Sequence, residues 1–281
     1  MCERVVQVRG IDIHVVMKGD ASLPTIVLLH GFTGSTATWQ EVTRLFKGRF
    51  RTVAIDLTGH GKTAVPEDIA RYSMEQQVED LEALFDKLSL ERFTLLGYSM
   101  GGRVALAYAV QYSGRVSSLI LESSSPGLKT AKERADRKAA DGRLADKLEA
   151  DGVPAFIDFW ESIPLFDSQR VLSEEKKLAV RKERLSQCEM GLANSLRGIG
   201  TGSQQSYWQQ LHTLNLVVLL ITGGLDIKFV NIAREMMRYF SNARHETIVH
   251  VGHAIHVENP AVFATMVEEH IVGLENRGGS I

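Results

Sequence analysis

Residues 93–102 read FTLLGYSMGG, and this stretch decides the fold. A short, mostly apolar run predicts a buried strand, the G-x-S-x-G motif from Gly97 to Gly101 predicts a sharp turn, and the helical pattern at 101–112 follows directly. The two glycines let the backbone turn tightly without Cβ clashes. We therefore predict that Ser99 stands above the end of a strand with its hydroxyl exposed, as a nucleophile does in this context.

The same alternation of apolar runs and helical segments extends outward from this turn. After an antiparallel hairpin at 4–17, strands are predicted at 25–29, 51–55, 116–121, 216–221 and 244–249, and helices at 37–46, 73–88, 231–240 and from Pro260 onward. Short unbroken strands separated by amphipathic helices are typical of a mostly parallel sheet that is covered on both faces. The predicted fold class is therefore α/β.

Between residues 128 and 212 the strand signal disappears, and the pattern becomes helical, with breaks at Pro154 and Pro164. We interpret 128–212 as a helical cap inserted into a core formed by 1–127 and 213–281. One core with an insertion accounts for a length of 281 residues, which lies between the usual sizes of one domain and two.

The composition argues against several classes of partner. The 32 basic and 34 acidic side chains give a formal charge of −2, whereas nucleic-acid and membrane-surface proteins usually carry a basic excess. The longest apolar runs are strand-sized, far below the ~20 residues that span a bilayer. Cys2 and Cys188 cannot form a disulfide framework, and the opening residues lack the apolar core of a signal peptide. We expect a cytoplasmic protein with a small-molecule partner, of undetermined oligomeric state.

The sequence also lacks the motifs of common cofactor sites. No G-x-x-x-x-G-K-[ST] occurs, and the glycine cluster at 198–202 neither matches G-x-G-x-x-G nor follows a strand. The histidines lack H-E-x-x-H spacing. We therefore expect no cofactor and no metal.

A serine nucleophile needs a base, which this architecture supplies late in the chain, after the acid. His253 is best placed, because it lies in the last loop before the final helix. His250 and His256 are rivals that could instead be loop or helix-cap residues.

The acid has two candidates. Asp226 follows the predicted strand at 216–221 within a glycine-rich loop, which permits the chain to turn back over the site. Glu122 ends the earlier strand and could also reach the histidine. We favour Asp226.

An oxyanion hole needs two backbone N–H donors, one from the residue after the serine and one from the loop after an early strand. Met100 and Phe32 fit these positions. The further loop at 56–61 is interpreted as a structural turn.

With these residues in place, the chain resembles the α/β-hydrolase superfamily and, within it, the 2-succinyl-6-hydroxy-2,4-cyclohexadiene-1-carboxylate synthase family of menaquinone biosynthesis. The motifs that carry the closer resemblance are GYSMGGR at 97–103, ESSSPGL at 122–128, ERADR at 133–137, FWESIPLF at 159–166 and GLANSLRGIGTG at 191–202. The similarity runs along nearly the whole chain, and much of it lies in the predicted cap.

The resemblance implies a lyase that eliminates pyruvate from 2-succinyl-5-enolpyruvyl-6-hydroxy-3-cyclohexene-1-carboxylate, without hydrolysis and without a cofactor. Ser99 would then act as a base, assisted by His253 and Asp226. The N–H groups of Phe32 and Met100 would hold the negative charge that develops on the succinyl carbonyl.

The substrate implied by the resemblance is a tricarboxylate, which calls for cationic residues around the pocket. Arg103 is the first choice, and Arg137 and Arg184 match positions at which the family binds substrate. Tyr98 and Trp160 would form pocket walls. A plain surface arginine is the other interpretation of Arg184.

Two other functions fit the same residues. A serine hydrolase acting on an ester, thioester or carbon–carbon bond of a small acidic substrate would use the same triad, because fold alone does not determine function. A non-catalytic binding protein is disfavoured, because Ser99, Asp226 and His253 are all present in the required order.

Overall fold

The computed structural model describes residues 2–278, with side chains described as far as Leu274. The chain builds one eight-stranded sheet with the spatial order β1-β2-β4-β3-β5-β6-β7-β8. The strands are β1 (Cys2–Val8), β2 (Ile11–Lys18), β3 (Thr25–Leu29), β4 (Arg51–Ile55), β5 (Phe93–Tyr98), β6 (Val116–Glu122), β7 (Val217–Gly223) and β8 (Ala243–Ile248). β1 and β2 pair antiparallel, β2 runs antiparallel to β4, and the remaining neighbours are parallel.

Helices connect the parallel strands, and two more follow the last strand. They are α1 (Gln40–Leu45), α2 (Met74–Lys87), α3 (Met100–Gln111), α4 (Ala131–Ser162), α5 (Glu174–Leu185), α6 (Glu189–Ile199), α7 (Ile227–Met236), α8 (Ile255–Glu258) and α9 (Pro260–Gly278). A short 3₁₀ helix precedes α1 where the sequence predicted continuous helix. None of the helices within residues 2–278 combines the length and apolar character that a membrane crossing requires.

Both faces of the sheet are covered by apolar side chains. In β3, Val27 and Leu29 pack on the face covered by α2, α3 and α7, whereas Ile26 and Leu28 pack on the face covered by α1 and α9. Successive strand residues point to opposite faces, so an unbroken apolar strand must be covered twice. The predicted α/β class, with helices on both faces of a mostly parallel sheet, is confirmed.

Residues 123–216 connect β6 to β7 and contain helices but no strand. Helices α4 and α6 share a small apolar cluster that is separate from the two clusters of the sheet, formed by Ala145, Leu148, Phe156, Ile157, Leu192, Ala193 and Leu196. The proline breaks predicted in this segment are structural features. α4 kinks at Gly152, two residues before Pro154, and Pro164 begins a 3₁₀ helix.

Helix α7 differs from its predicted position at 231–240, because it begins at Ile227 and ends at Met236. The physical reason is a side-chain cap, since the Asp226 carboxylate accepts a hydrogen bond from the N–H of Phe229 at 3.3 Å. The helix therefore starts immediately after the candidate acid.

The start of α3 packs so closely on the end of β3 that only glycine fits at residue 101. A Cβ there would overlap the backbone carbonyl oxygens of Leu29 and His30. We expect Gly101→Ala to lower the free energy of unfolding by about 1–3 kcal/mol through overpacking. Denaturation in urea measures this change.

Gly142→Ala is the matched control, because Gly142 lies inside α4 and an added Cβ would meet nothing within 4 Å. This change should stabilise the helix by about 0.5–1 kcal/mol. Equal stabilities of the two variants would contradict the packing argument.

Candidate active site

Ser99 lies in the turn between β5 and α3, with a strained backbone at φ +49°. A non-glycine residue in such a region costs of order 1–3 kcal/mol and persists only where its surroundings hold it. The Ser99 N–H donates to the Glu122 carbonyl at 2.9 Å, and the Ser99 carbonyl accepts from the Ser124 hydroxyl at 3.0 Å. Together with the close packing at Gly101, these bonds hold the serine above the strand end.

The structure brings Ser99, His253 and Asp226 together from three loops at one edge of the sheet. His253 Nε2 lies 3.0 Å from Ser99 Oγ, and His253 Nδ1 lies 2.6 Å from Asp226 Oδ2. His253 is 1% exposed and Asp226 is 7% exposed. Because the carboxylate accepts the proton of Nδ1, Nε2 is free to accept the proton of the serine hydroxyl. The arrangement can therefore deprotonate Ser99.

The alternative acid, Glu122, forms its hydrogen bonds with a different histidine. Its buried carboxylate accepts from His256 Nδ1 at 2.9 Å and from the His256 N–H at 3.0 Å. The other ring nitrogen of His256 lies 2.7 Å from the Thr38 hydroxyl. His250, the remaining rival base, is exposed on a turn. Of the candidate pairs, the one that contacts Ser99 is His253 with Asp226.

The two predicted oxyanion donors flank Ser99. Met100 opens α3, so its N–H is among the first four of the helix and has no intrahelical acceptor. Phe32 follows Gly31, whose added Cβ would lie 2.6 Å from the Tyr98 ring and 3.5 Å from Ser99 Cβ. Within residues 2–278, neither N–H donates to a protein acceptor. Both are therefore available to a ligand oxygen.

A buried histidine holds this loop in place. His30 Nδ1 lies 2.7 Å from the carbonyl oxygen of Gly31, and Nε2 accepts the N–H of Leu57 at 3.0 Å. Burial lowers the pKa of His30 below its ordinary value, so the ring is neutral at pH 7. A neutral ring with Nδ1 as donor satisfies both contacts.

Ser99 opens into a cavity of about 410 Å³ between the sheet edge and the helices of residues 123–216. Its aromatic wall includes Phe32, Tyr98, Trp160 and Phe166. Burial, and then the nearby Glu122 carboxylate, raise the pKa of the Tyr98 phenol well above its ordinary value, so it is neutral. The buried Trp160 Nε1 has no hydrogen-bond partner among the described residues, so it can donate to a bound molecule.

Two of the three predicted arginines line this cavity. Arg103 is buried and donates to the carbonyl of Ile199 at 2.8 Å and to the side-chain oxygen of Gln204. Burial lowers the pKa of Arg103 to about 10, which leaves it charged at neutral pH. Arg137 Nε donates to Asp141 at 2.7 Å. The cavity wall therefore carries cations close to Ser99.

Arg184 lies outside this cavity. Its guanidinium stacks on the ring of Phe166, 4.6 Å from the ring centre, and it lines a smaller adjoining pocket with Phe166 and Tyr98. It bonds to Glu161 and to Gln169, each at 3.3 Å. Arg184 therefore shares Phe166 as a neighbour with the cavity, but its own side chain is not part of the cavity wall.

Sequence reasoning missed the ring of Phe229 as part of the site. Its centre lies 4.7 Å from the centre of the His253 ring, so it forms one wall around the base. Its position three residues after Asp226 was the sequence feature that could have placed it near the site. Among the described residues, no cluster of three or more His, Cys, Asp or Glu side chains is arranged to hold a metal ion.

Comparison with known proteins supports the fold and identifies the family. Residues 24–260 match the alpha/beta hydrolase fold family model. A 2-succinyl-6-hydroxy-2,4-cyclohexadiene-1-carboxylate synthase of Salmonella agona is 31% identical over 87% of this chain and 92% of that protein. A Bacillus subtilis protein that carries this name provisionally is 43% identical over 94% of this chain and 96% of its own length.

A solved structure, MenH from S. aureus, superposes with a TM-score of 0.89 at 34% identity, covering 93% of this chain and 98% of that one. The resemblance predicted from the sequence is thereby confirmed. The chain belongs to the α/β-hydrolase fold family and, within it, to the family of 2-succinyl-6-hydroxy-2,4-cyclohexadiene-1-carboxylate synthases.

Proposed function

We propose that this protein is a lyase of menaquinone biosynthesis that eliminates pyruvate from 2-succinyl-5-enolpyruvyl-6-hydroxy-3-cyclohexene-1-carboxylate. The observation that carries the proposal is that Ser99, within a complete triad, faces the same cavity as the buried cation Arg103. A nucleophile or base beside a buried guanidinium suits an anionic substrate. The names of the relatives supply the particular reaction.

The names of substrate and product determine which bonds change. The ring carbon that bears the succinyl group loses a proton, and the electron pair of that C–H bond becomes a new ring double bond. The existing ring double bond shifts by one position, and the C–O bond to the enolpyruvyl group breaks. The enolpyruvyl oxygen leaves with that bond's electrons, and protonation at carbon then gives pyruvate. No water is consumed.

In this reaction Ser99 acts as a general base. The proton to be removed lies next to a ketone, so its acidity rises when the carbonyl oxygen is stabilised as an oxyanion. Ser99 Oγ takes the ring proton as His253 Nε2 takes the proton of the serine, and Asp226 stabilises the imidazolium that forms. The backbone N–H groups of Phe32 and Met100 bind the succinyl carbonyl oxygen, where negative charge develops.

The cavity wall supplies the remaining recognition. Arg103 and Arg137 bind carboxylates of the substrate, and Tyr98 and Trp160 form the walls that orient its ring. Arg184 remains a candidate for substrate binding from the adjoining pocket, whose wall it shares with Phe166 and Tyr98. We treat residues 128–212 as a cap over the core, and the protein as a cytoplasmic enzyme with a small-molecule substrate.

Pyruvate release from the enolpyruvyl substrate tests the proposal. The wild-type protein should release pyruvate, and Ser99→Ala should lower kcat by about 10²–10⁴-fold, as expected for loss of a general base. A coupled assay with lactate dehydrogenase measures the product. Ser118→Ala, which removes a buried hydroxyl on β6 outside the cavity, should keep wild-type activity within about twofold. Rapid hydrolysis of simple esters without pyruvate release would instead establish a hydrolase.

The choice of acid gives a second test. Asp226→Asn should lower kcat by about 10³–10⁴-fold, because the amide favours the wrong tautomer of His253. Glu122→Gln should lower kcat by about tenfold or less, because Glu122 contacts His256 instead. Steady-state kinetics of pyruvate release measure both, and thermal melting checks that each variant is folded. A larger loss in Glu122→Gln than in Asp226→Asn would reverse the assignment.

A further inference from the structure

Some of the basic side chains around the cavity form ion pairs with carboxylates, and others do not. Among the described residues, four Lys and Arg side chains line it, and two of them are matched by carboxylates that also line it. Lys129 forms an ion pair with Glu235, and Arg137 pairs with Asp141 at 2.7 Å. In each of these pairs a neighbouring carboxylate already offsets the positive charge, so a ligand anion meets less net charge there than at an unpaired cation.

The other two basic side chains are Arg103 and Lys228. Arg103 is bound by neutral oxygens and keeps its full charge. Lys228 has no ion pair and no hydrogen bond to any described residue. Its one recorded contact is with the neighbouring Phe229 ring, whose centre lies 5.4 Å from Nζ. Lys228 is thus an unpaired cation at the wall of the candidate active site.

The position of Lys228 does not serve the stability of its own helix. It occupies the first turn of α7, where the helix dipole presents its positive end, and the capping carboxylate of Asp226 bonds to Phe229 and His253 instead of to Lys228. A cation in this place is electrostatically unfavourable, since carboxylates are the groups that stabilise a helix N-terminus. Features that oppose local stability are expected at functional sites.

Lys228 is also close to the catalytic residues. It follows Asp226 by two positions, and Phe229, beside it, packs on His253. Arg103 lies on α3, which follows β5, and Lys228 lies on α7, which follows β7. In the sheet, β7 is the second neighbour of β5, with β6 between them. Strands two places apart are separated by about 10 Å. The two cations thus belong to different sides of the same cavity.

We propose that Lys228 is a substrate-positioning residue that binds one carboxylate of the substrate at the Asp226 side of the cavity, while Arg103 binds another. The inference rests on the proposed function for the identity of the substrate. The proposed binding of carboxylates by Lys228 and Arg103, called here the carboxylate subsite, requires only that the ligand is a small polycarboxylate. Lys228 would add no binding energy for a neutral substrate. Its side chain is exposed and takes no part in the hydrogen bonds of the triad.

The test compares Lys228→Met with Lys228→Arg and with Lys182→Met. Lys182 is an exposed lysine on α5 that does not line the cavity, so its variant makes the same change in net charge elsewhere. Two quantities are measured for each protein. One is kcat and KM for pyruvate release, and the other is the calorimetric Kd of tricarballylate, a simple tricarboxylate.

We expect Lys228→Met to raise KM and the Kd of tricarballylate by about tenfold, the loss of one charge-assisted contact, with kcat changed less than about threefold. Lys228→Arg should restore both values to within about threefold of wild type, and Lys182→Met should match wild type. Unchanged KM and Kd in Lys228→Met, equal effects in Lys182→Met, or no binding of tricarballylate by the wild type would each overturn the proposal. If binding depends on Lys228 but no pyruvate is released, the subsite stands and the proposed reaction fails.

Discussion

The close approach between the start of α3 and the end of β3 is the constraint on which the site depends. The carbonyl oxygens of Leu29 and His30 occupy the space that a side chain at residue 101 would need. Because α3 begins so close to the end of β3, the turn between β5 and α3 is tight, and Ser99 is held at φ +49° with its hydroxyl above the strand. A looser turn would let the serine relax into an ordinary conformation, and its distance to His253 would no longer be defined.

Parallel strand order does the rest of the positioning. Ser99 follows β5, Asp226 follows β7, and His253 lies in the loop after β8, so all three reach the same edge of the sheet. None of the three depends on a long flexible connection. The base is also enclosed by the rings of Tyr98 and Phe229, which limits its rotation. A rigid scaffold of this kind keeps the hydrogen bonds of the triad in place before a ligand arrives.

The net charge of this protein does not show how the charged side chains are distributed around its cavity. A formal charge of −2 conveys nothing about a cavity wall on which some basic groups are neutralised by neighbours and others are not. The hydrogen bonds of Arg103 go to two neutral oxygens, and Lys228 has no acidic partner among the described residues. Affinity for an anion in this cavity therefore depends on which lining cations lack carboxylate partners, and not on the overall charge.

The α/β class and the turn that exposes Ser99 could be predicted from the sequence, because each depends on residues close together in the chain. Their places in the predicted loops favoured Asp226 and His253 but did not exclude their rivals. The folded structure was needed to show that Glu122 bonds to His256, that Arg184 stacks on Phe166, and which lining cations lack carboxylate partners. The physical reason is that these contacts join side chains far apart in sequence, whose distances follow from packing and cannot be obtained from spacing or periodicity.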